Sequence, residues 1–547
     1  MKKSFLVLFL VICLLAPTAA FAQTVNITSG ERKKAETITA KQLSDYLHVV
    51  ASDEMGGRDT PSPGLDLTAE FLKKHLEKWK FKPAGDNGSF FQRLDLFRPK
   101  LNAAGTSATL NGQPLVYGTD FLANVTPGTV ANVPLVFAGN GWMVKNANRE
   151  PLKGIDAKGK IVVVYSEGGP SGMSFQQLNA AGKQGVDWAD PVSYAKANGA
   201  VGVIILASPT ATSNWERTRR QRETGGSYQV DKLRPVPASI PTITLSQKAS
   251  EALMAGETTD LAKIRQTYAS PDPLPSFQMT GGKSASFTVA TDVERAKTQN
   301  VVALWEGSGP VLKNEIVALG AHYDHVGTRP DAPGPDKIWN GADDDGSGTV
   351  AVLSIAEALA QSKERPKRSV LLVWHAGEEK GLLGAEYFNK FPTVDIKNVI
   401  AQLNIDMIGR SKAPGDTNPR NEPLTGPNGV YVIGSEMMSS TLGAITKGTN
   451  SAFLNLDYNY KYDDPKDTNR FFFRSDHFHY AQNGIPIAFW FTGTHEDYHG
   501  AGDHADKIDY QKMEKIARTI FLTMWELTDL KERPKIDKQL PPELTQR

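Results

Sequence analysis

The sequence predicts an α/β fold in which a mostly parallel central sheet, flanked by helices, is interrupted by a smaller inserted β-rich α/β domain. Three segments carry the first part of that expectation: Asn314–Asp324, Ser369–Trp374 continuing into His375–Gly381, and Asn398–Asp406. Each is a short apolar run that ends in acidic or imidazole side chains. Such runs, bounded by turn residues and separated by helical patterns, are what a sheet buried on both faces produces. Between the first two, Asn340–Gly348 contains Asp343, Asp344 and Asp345 and opens an apolar helix expected over Ser347–Ala360. Ligands of open α/β sheets bind beyond the carboxyl ends of the strands, where these acids and histidines fall, so they can converge on one pocket.

Taken in order, the chain begins with Lys2 and Lys3, the apolar run Phe5–Leu15 and a small-residue cleavage pattern at Ala20-Phe21-Ala22. That pattern is expected of a signal peptide over residues 1–22, directing export to the periplasm or exterior of a bacterial cell. Its removal takes two lysines from the formal charge and changes +1 to −1. A near-neutral mature chain offers no electrostatic case for nucleic acid or membrane binding. The only cysteine, Cys13, lies in the leader, so the mature chain has neither a disulfide nor a thiol nucleophile. No further apolar run is long enough to span a membrane.

Residues 36–113 are expected to begin the catalytic domain, with helices over Thr39–Ser52 and Leu67–Trp79 joined by a loop holding Gly56-Gly57-Arg58. Residues 114–280 change in texture. Short strands are expected at Val133–Phe137, Gly159–Tyr165, Val201–Leu206 and Ile240–Leu245, a helix at Pro191–Asn198, and a polar loop around the basic run Arg217–Arg222. The catalytic domain resumes over 281–530 and ends in an amphipathic helix, Asp509–Leu530, followed by a Pro-rich charged tail, 531–547, expected to fray.

Carboxylates and imidazoles mixed in one pocket suit a divalent ion of the zinc type. Zinc catalysis commonly uses three protein ligands per ion and leaves a position for water. Five candidates, His322, Asp344, Glu379, Asp406 and His499, can serve two ions if one carboxylate bridges them. A further carboxylate must accept the proton of the attacking water, and Glu378 stands next to a ligand. Asp343 and Asp345 read as caps of the helix that follows. His325, His375, His477, His479 and His504 read as structural or supporting residues.

His322-x-Asp324, Gly341-Ala-Asp-Asp344-x-Gly-Ser-Gly348, Glu378-Glu379-x-Gly381, Asp406-Met407 and Tyr498-His499-x-x-x-Asp503 together resemble the family M28 metallopeptidases, which include co-catalytic zinc aminopeptidases. Gly159-Lys-Ile161, Gly199-Ala-Val-Gly-Val-Ile204 and Pro241-Thr-Ile243 resemble the protease-associated (PA) domain. The first resemblance implies a zinc-exopeptidase fold and two zinc ions. One would be bound by His322 and Asp406, the other by Glu379 and His499, with Asp344 bridging. It also implies Glu378 as general base, Asp324 as the partner that orients His322, and the N-terminal bond of peptides as substrate. Some members place an oxyanion-stabilising tyrosine shortly before Ser475-Asp476-His477, where this chain has Phe471–Phe473, so that role is unassigned.

Several rival readings remain open on sequence. His495-Glu496-x-x-His499 matches the single-zinc protease motif, but that motif needs a helix and Gly500-Ala-Gly502 follows it. A carboxypeptidase or dipeptidase would need a cationic clamp, for which Arg474 is a candidate. A glutaminyl cyclase-like enzyme would use one zinc, against the full ligand set. A binding protein that had lost catalysis would lack ligands or base, and none is missing. Ser475-Asp476-His477 cannot form a serine-protease triad, because sequence neighbours do not adopt that geometry.

Overall fold

A computed structural model describes residues 25–165, 169–170, 173–174, 177–178, 181–233, 239–267, 274–541 and 544. The expected leader, with Cys13, lies outside the described residues. The chain divides into two compact units, Met1–Leu94 with Thr298–Arg547, and Asp95–Lys297. Among the described residues no helix is long and apolar enough to cross a membrane.

The sheet of the first unit runs, in spatial order, through Thr291–Trp305, Ser369–His375, Ile316–His322, Val399–Ile405, Ile487–Phe491, Gly429–Ile433 and Asp457–Asn459. The four strands from Ser369–His375 to Ile487–Phe491 are mutually parallel. Residues 301–305 and the strand Gly429–Ile433 pair antiparallel at either side. Alternation divides each apolar run between two cores. Val317, Leu319 and Ala321 face one cluster while Ile316 and Ala318 face the other; Val370, Leu372 and Trp374 oppose Leu371 and Val373 in the same way. The continuous apolar character of these strands follows from burial on both faces.

Gly348–Gln361 is buried around nearly its whole circumference and shares the first core with Ala40–Val50 and Tyr510–Asp529. The helix expected from Thr39 starts with a capping box: Gln42 N donates to Thr39 Oγ1 at 3.2 Å, and Thr39 N donates to Gln42 Oε1 at 3.4 Å. The next helix begins earlier than its apolar spacing suggests, at Pro63, because Ser62 caps it and proline occupies its first turn. The described part of the expected tail is held rather than frayed. Arg533 Nε lies 2.7 Å from Glu315 Oε1, Asp537 Oδ1 accepts the Ser440 N–H at 2.9 Å, and Leu544 is buried.

The second unit has its own sheet and core. Gly128–Phe137, Ile161–Val164, Gly202–Ile205 and Thr242–Leu245 form its parallel part. The unit reaches beyond the expected 114–280 on both sides. Ser107–Leu110 and Ser284–Val289 pair antiparallel with each other, and the latter pairs with Gly128–Phe137, so all belong to one sheet. The basic run expected as a loop is part of a helix, Trp215–Thr224. Arg219 pairs along that helix with Glu216 at 2.9 Å and Glu223 at 3.0 Å, one turn away on either side.

Candidate metal centre

Parallel strands carry their carboxyl ends to one edge of the first unit's sheet. His322 closes Ile316–His322, Glu378 and Glu379 follow Ser369–His375, and Asp406 follows Val399–Ile405. His499 lies in the connection after Ile487–Phe491. Asp344 comes from the turn Ala342–Ser347, which immediately precedes the buried helix Gly348–Gln361.

That turn is fixed from several directions. The Asp503 carboxylate accepts the main-chain N–H groups of Asp343 and Asp344 at 3.0 and 3.1 Å. The Asp345 carboxylate accepts from Gly348 N at 2.9 Å and Met407 N at 3.1 Å, so it caps the helix and ties it to the Asp406 loop. Asp343 accepts from Gly409 N at 2.6 Å. Arg58, entirely buried, donates to the carbonyls of Tyr323, Val50, Asn340 and Gly341 at 2.6 to 2.9 Å. It thereby joins the end of the His322 strand to the Asp344 turn, a role its loop position did not announce. Met407 and His499 both adopt left-handed backbone, at φ 55° and 51°. Strained residues of this kind persist where the surroundings over-determine them.

Two groups of donor atoms result, each confined within 4.8 Å: His322, Asp344 and Asp406; and His325, Asp344, Glu379 and His499. Asp344 belongs to both. Its Oδ1 lies 3.4 Å from His322 Nε2, and its Oδ2 lies 3.0 Å from His499 Nε2. His322 Nε2 is 3.7 Å from Asp406 Oδ2, and His499 Nε2 is 3.0 Å from Glu379 Oε2. His322 Nδ1 faces the Asp324 carbonyl at 3.1 Å and its carboxylate at 3.5 Å. Asp324 is held in turn by Thr60 Oγ1 at 3.1 Å and Glu378 N at 3.1 Å. This leaves His322 Nε2 as the nitrogen turned toward the acids.

The residues fit a dication with oxygen and nitrogen ligands. Asp344 Oδ2 and Glu379 Oε1 are buried acceptors with no directed hydrogen bond among the described residues, and buried acceptors in that condition require an account. Electrostatics point the same way. Burial pushes the Asp344 carboxyl up, but His322 and His499 overcome this and hold it well below the usual range. Burial, with Glu379 and Asp406 nearby, holds Glu378 well above it despite the opposing pull of His322.

Burial alone would lower His499, yet the Asp344 and Glu379 carboxylates raise it to about 10. In the metal-free protein a raised histidine contributes stability that is complete below its unfolded value of about 6.5 and is lost as pH rises through about 10. A metal must displace that proton. Zinc binding to the metal-free protein at pH 7 is therefore expected to release protons, read calorimetrically as a binding enthalpy that varies with the buffer's ionisation heat. A buffer-independent enthalpy would contradict it.

Of the histidines read as structural, four remain so. His375 Nδ1 is 3.3 Å from Asp476 Oδ2 and its Nε2 is 3.1 Å from Tyr480 Oη. His477 stacks on Phe489 with ring centres 4.6 Å apart, and burial pushes it down to about 3. His479 contacts Gln482, and His504 Nε2 lies 3.0 Å from Asp336 Oδ2. His325 is the exception, because it joins the second donor group. The His495–His499 stretch is a turn rather than a helix. His495 faces Asp343 Oδ2 at 3.3 Å, and exposed Glu496 accepts from Asn418 at 2.6 Å, so the single-zinc arrangement does not form.

Beside the donors lies a cavity of about 260 Å³. Asp344, Glu378, Glu379 and Asp406 line it together with the apolar Met407, Phe471, Phe489 and Phe491, and with Arg474 and Tyr498. Arg474 Nη2 donates to Tyr498 Oη at 3.2 Å, and the Tyr498 ring stacks on His499 at 4.1 Å. Tyr498 was singled out on sequence only as the neighbour of His499; its place on the cavity wall is what marks it.

Residues 300–524 match the family model described as Peptidase family M28, and residues 114–253 match that of the PA domain. The first of these segments is similar to the family M28 metallopeptidases. The PA-matching segment lies within the unit Asp95–Lys297, which is inserted in sequence between the two parts of the unit that carries the M28 match. A probable leucine aminopeptidase 2 of Aspergillus oryzae is 28% identical to this chain over 282 residues, which is 47% of the chain and 50% of the relative. A probable leucine aminopeptidase 2 of Aspergillus fumigatus is 31% identical over 219 residues, 39% of the chain and 37% of the relative. The chain thus spans half the length or less of these two curated relatives. The solved aminopeptidase from Aneurinibacillus sp. strain AM-1 shares the fold, with a TM-score of 0.50 at 15% identity, covering 94% of this chain and 98% of that one.

Proposed function

We propose that the protein is an exported, two-zinc aminopeptidase that releases the N-terminal residue of peptides. The observation that carries this reading is the Asp344 carboxylate, whose two oxygens face two different donor groups. His322 and Asp406 would hold one ion with it, and Glu379 and His499 the other. Zinc bound there supplies Lewis acidity toward the scissile carbonyl and lowers the pKa of water.

The protein's own groups complete the chemistry. Glu378 belongs to neither donor group, yet lines the cavity beside both of them. A base poised in that way accepts the proton of the attacking water and returns it to the leaving amine. Asp324 fixes the His322 ring through Nδ1, which keeps Nε2 turned inward. Tyr498 Oη, on the cavity wall, is the hydroxyl available to the developing oxyanion, the role that Phe471–Phe473 cannot fill. The Met407, Phe471, Phe489 and Phe491 walls suit an apolar first side chain of the substrate. Export rests on the leader-like pattern of residues 1–22.

Leucyl and phenylalanyl anilides with free amines are expected to be cleaved at least ~100-fold faster than their N-acetylated forms, a difference of about 3 kcal/mol, because acetylation removes both the charge and the lone pair by which an N-terminus is recognised. Equal cleavage of the blocked forms would refute an aminopeptidase. Arg474 on the cavity wall favours a second reading, removal of a C-terminal residue. Release of that residue from an N-blocked dipeptide, lost in Arg474→Ala, would establish it instead. Glu496→Ala is expected to leave activity within about twofold of the parent, because that side chain is exposed and hydrogen-bonded to Asn418.

A further inference from the structure

We propose that His325 is itself a metal ligand. With Asp344, Glu379 and His499 it makes one site a closed set of four protein donors, while His322, Asp344 and Asp406 make the other a set of three. The proposal rests on the two-zinc reading above and says that the two ions are held unequally.

His325 Nδ1 lies 3.0 Å from Glu379 Oε1 and 3.6 Å from Asp344 Oδ2. Its donor atom is within 4.8 Å of those of Asp344, Glu379 and His499. The ring is completely buried, and among the described residues neither nitrogen makes a directed hydrogen bond. A buried imidazole in that state costs free energy unless something else uses its lone pair.

Its seat is built for the ring. His325 N donates to the Arg58 carbonyl at 3.1 Å. A Cβ at position 341 would come within 2.5 Å of the imidazole, and Gly341, at φ +57°, supplies none. The ring meets His499 edge-on, with centres 5.6 Å apart. The simpler role is orienting Glu379 by an N–H donor across the 3.0 Å contact, and the asparagine variant below separates the two roles.

Zinc sites closed by four protein donors are characteristically structural, whereas catalytic sites keep three donors and an open position. The Glu379 and His499 ion is therefore the retained one, and the position open to water and substrate belongs to the His322 and Asp406 ion.

Metal-free wild type, His325→Ala and His325→Asn would be titrated with Zn²⁺ against a chromophoric chelator, and X-ray absorption recorded at one equivalent of zinc. Wild type should bind its first zinc more tightly than its second. Both variants should weaken the first step by about 10–100-fold, a loss typical even of groups that only support a ligand, and leave the second unchanged. The first ion should lose one imidazole scatterer. Asparagine can still donate a hydrogen bond to Glu379, so wild-type affinity in His325→Asn would reassign His325 to orientation and overturn the proposal. It also keeps the test decisive should the alanine variant not fold. Unaltered first-step affinity in both variants, or two indistinguishable steps in wild type, would overturn it as well. Wild type that binds one zinc or none would instead overturn the two-zinc reading.

Discussion

Glu378→Gln is expected to lower kcat by about 10²–10⁴-fold while leaving the zinc content of the purified protein unchanged. Glutamine preserves the shape of the side chain but cannot take a proton. Glu378 stands outside both donor groups, with its Oε2 3.9 Å from His322 Nε2. Its main-chain N–H, which holds the Asp324 carboxylate at 3.1 Å, is untouched by the substitution. Metal content and the support of His322 should therefore survive. A variant retaining more than a tenth of parental kcat would remove Glu378 from the proton-transfer role. One that lost zinc would make it a ligand instead.

Asp344→Asn is expected to abolish activity and to reduce zinc content at both positions together. Neighbouring carboxylates differ here, because Asp406 and Glu379 each belong to one donor group and Asp344 to both. The second readout is stability. A ligand that binds only the folded state stabilises it by about 2.7 kcal/mol at one hundred times its Kd, so the parent's Tm should rise with added zinc and the variant's should not. Without metal the substitution should still destabilise. His322 and His499 hold the Asp344 carboxyl well below its ordinary range, so it contributes stability at neutral pH that is lost as pH falls through the depressed value. A variant that kept one full equivalent of zinc would restrict Asp344 to a single ion.

Much of the first unit was legible because its strands are buried on both faces. Every residue of Ile316–His322, Ser369–His375 and Val399–Ile405 is buried, so each reads as an unbroken apolar run that stops where the polar site begins. His325 was not legible for the opposite reason. It lies past the end of its strand, where neither alternation nor helical spacing fixes a direction. Its orientation depends on Arg58 and Gly341, which come from other parts of the chain. Arg58 itself looks like a loop arginine until the four carbonyls it binds are assembled around it. The ends of the second unit were missed because Ser107–Leu110 and Ser284–Val289 are half-polar antiparallel strands. They join their sheet through pairing partners rather than through apolar content. The basic helix Trp215–Thr224 has no buried residues, so no apolar stripe marks it.

The helix Ala40–Val50 packs in one core with Tyr510–Asp529, where Ala40 N donates to Glu514 Oε2 at 2.5 Å and Arg518 Nε donates to the Ile38 carbonyl at 2.8 Å. These partners are 474 residues apart in the case of Ala40 and Glu514. At roughly 5–20 residues per second on the ribosome, the earlier helix waits about 25–95 s for its counterpart to be made. Contacts of such long range also slow folding once the whole segment is available. An unfinished chain would thus carry His322, Asp344 and Glu379 without the helix that closes the core beneath them. The metal centre would be complete on a closed core only after synthesis had passed the last of these contacts, a delay set by the order of the elements along the chain.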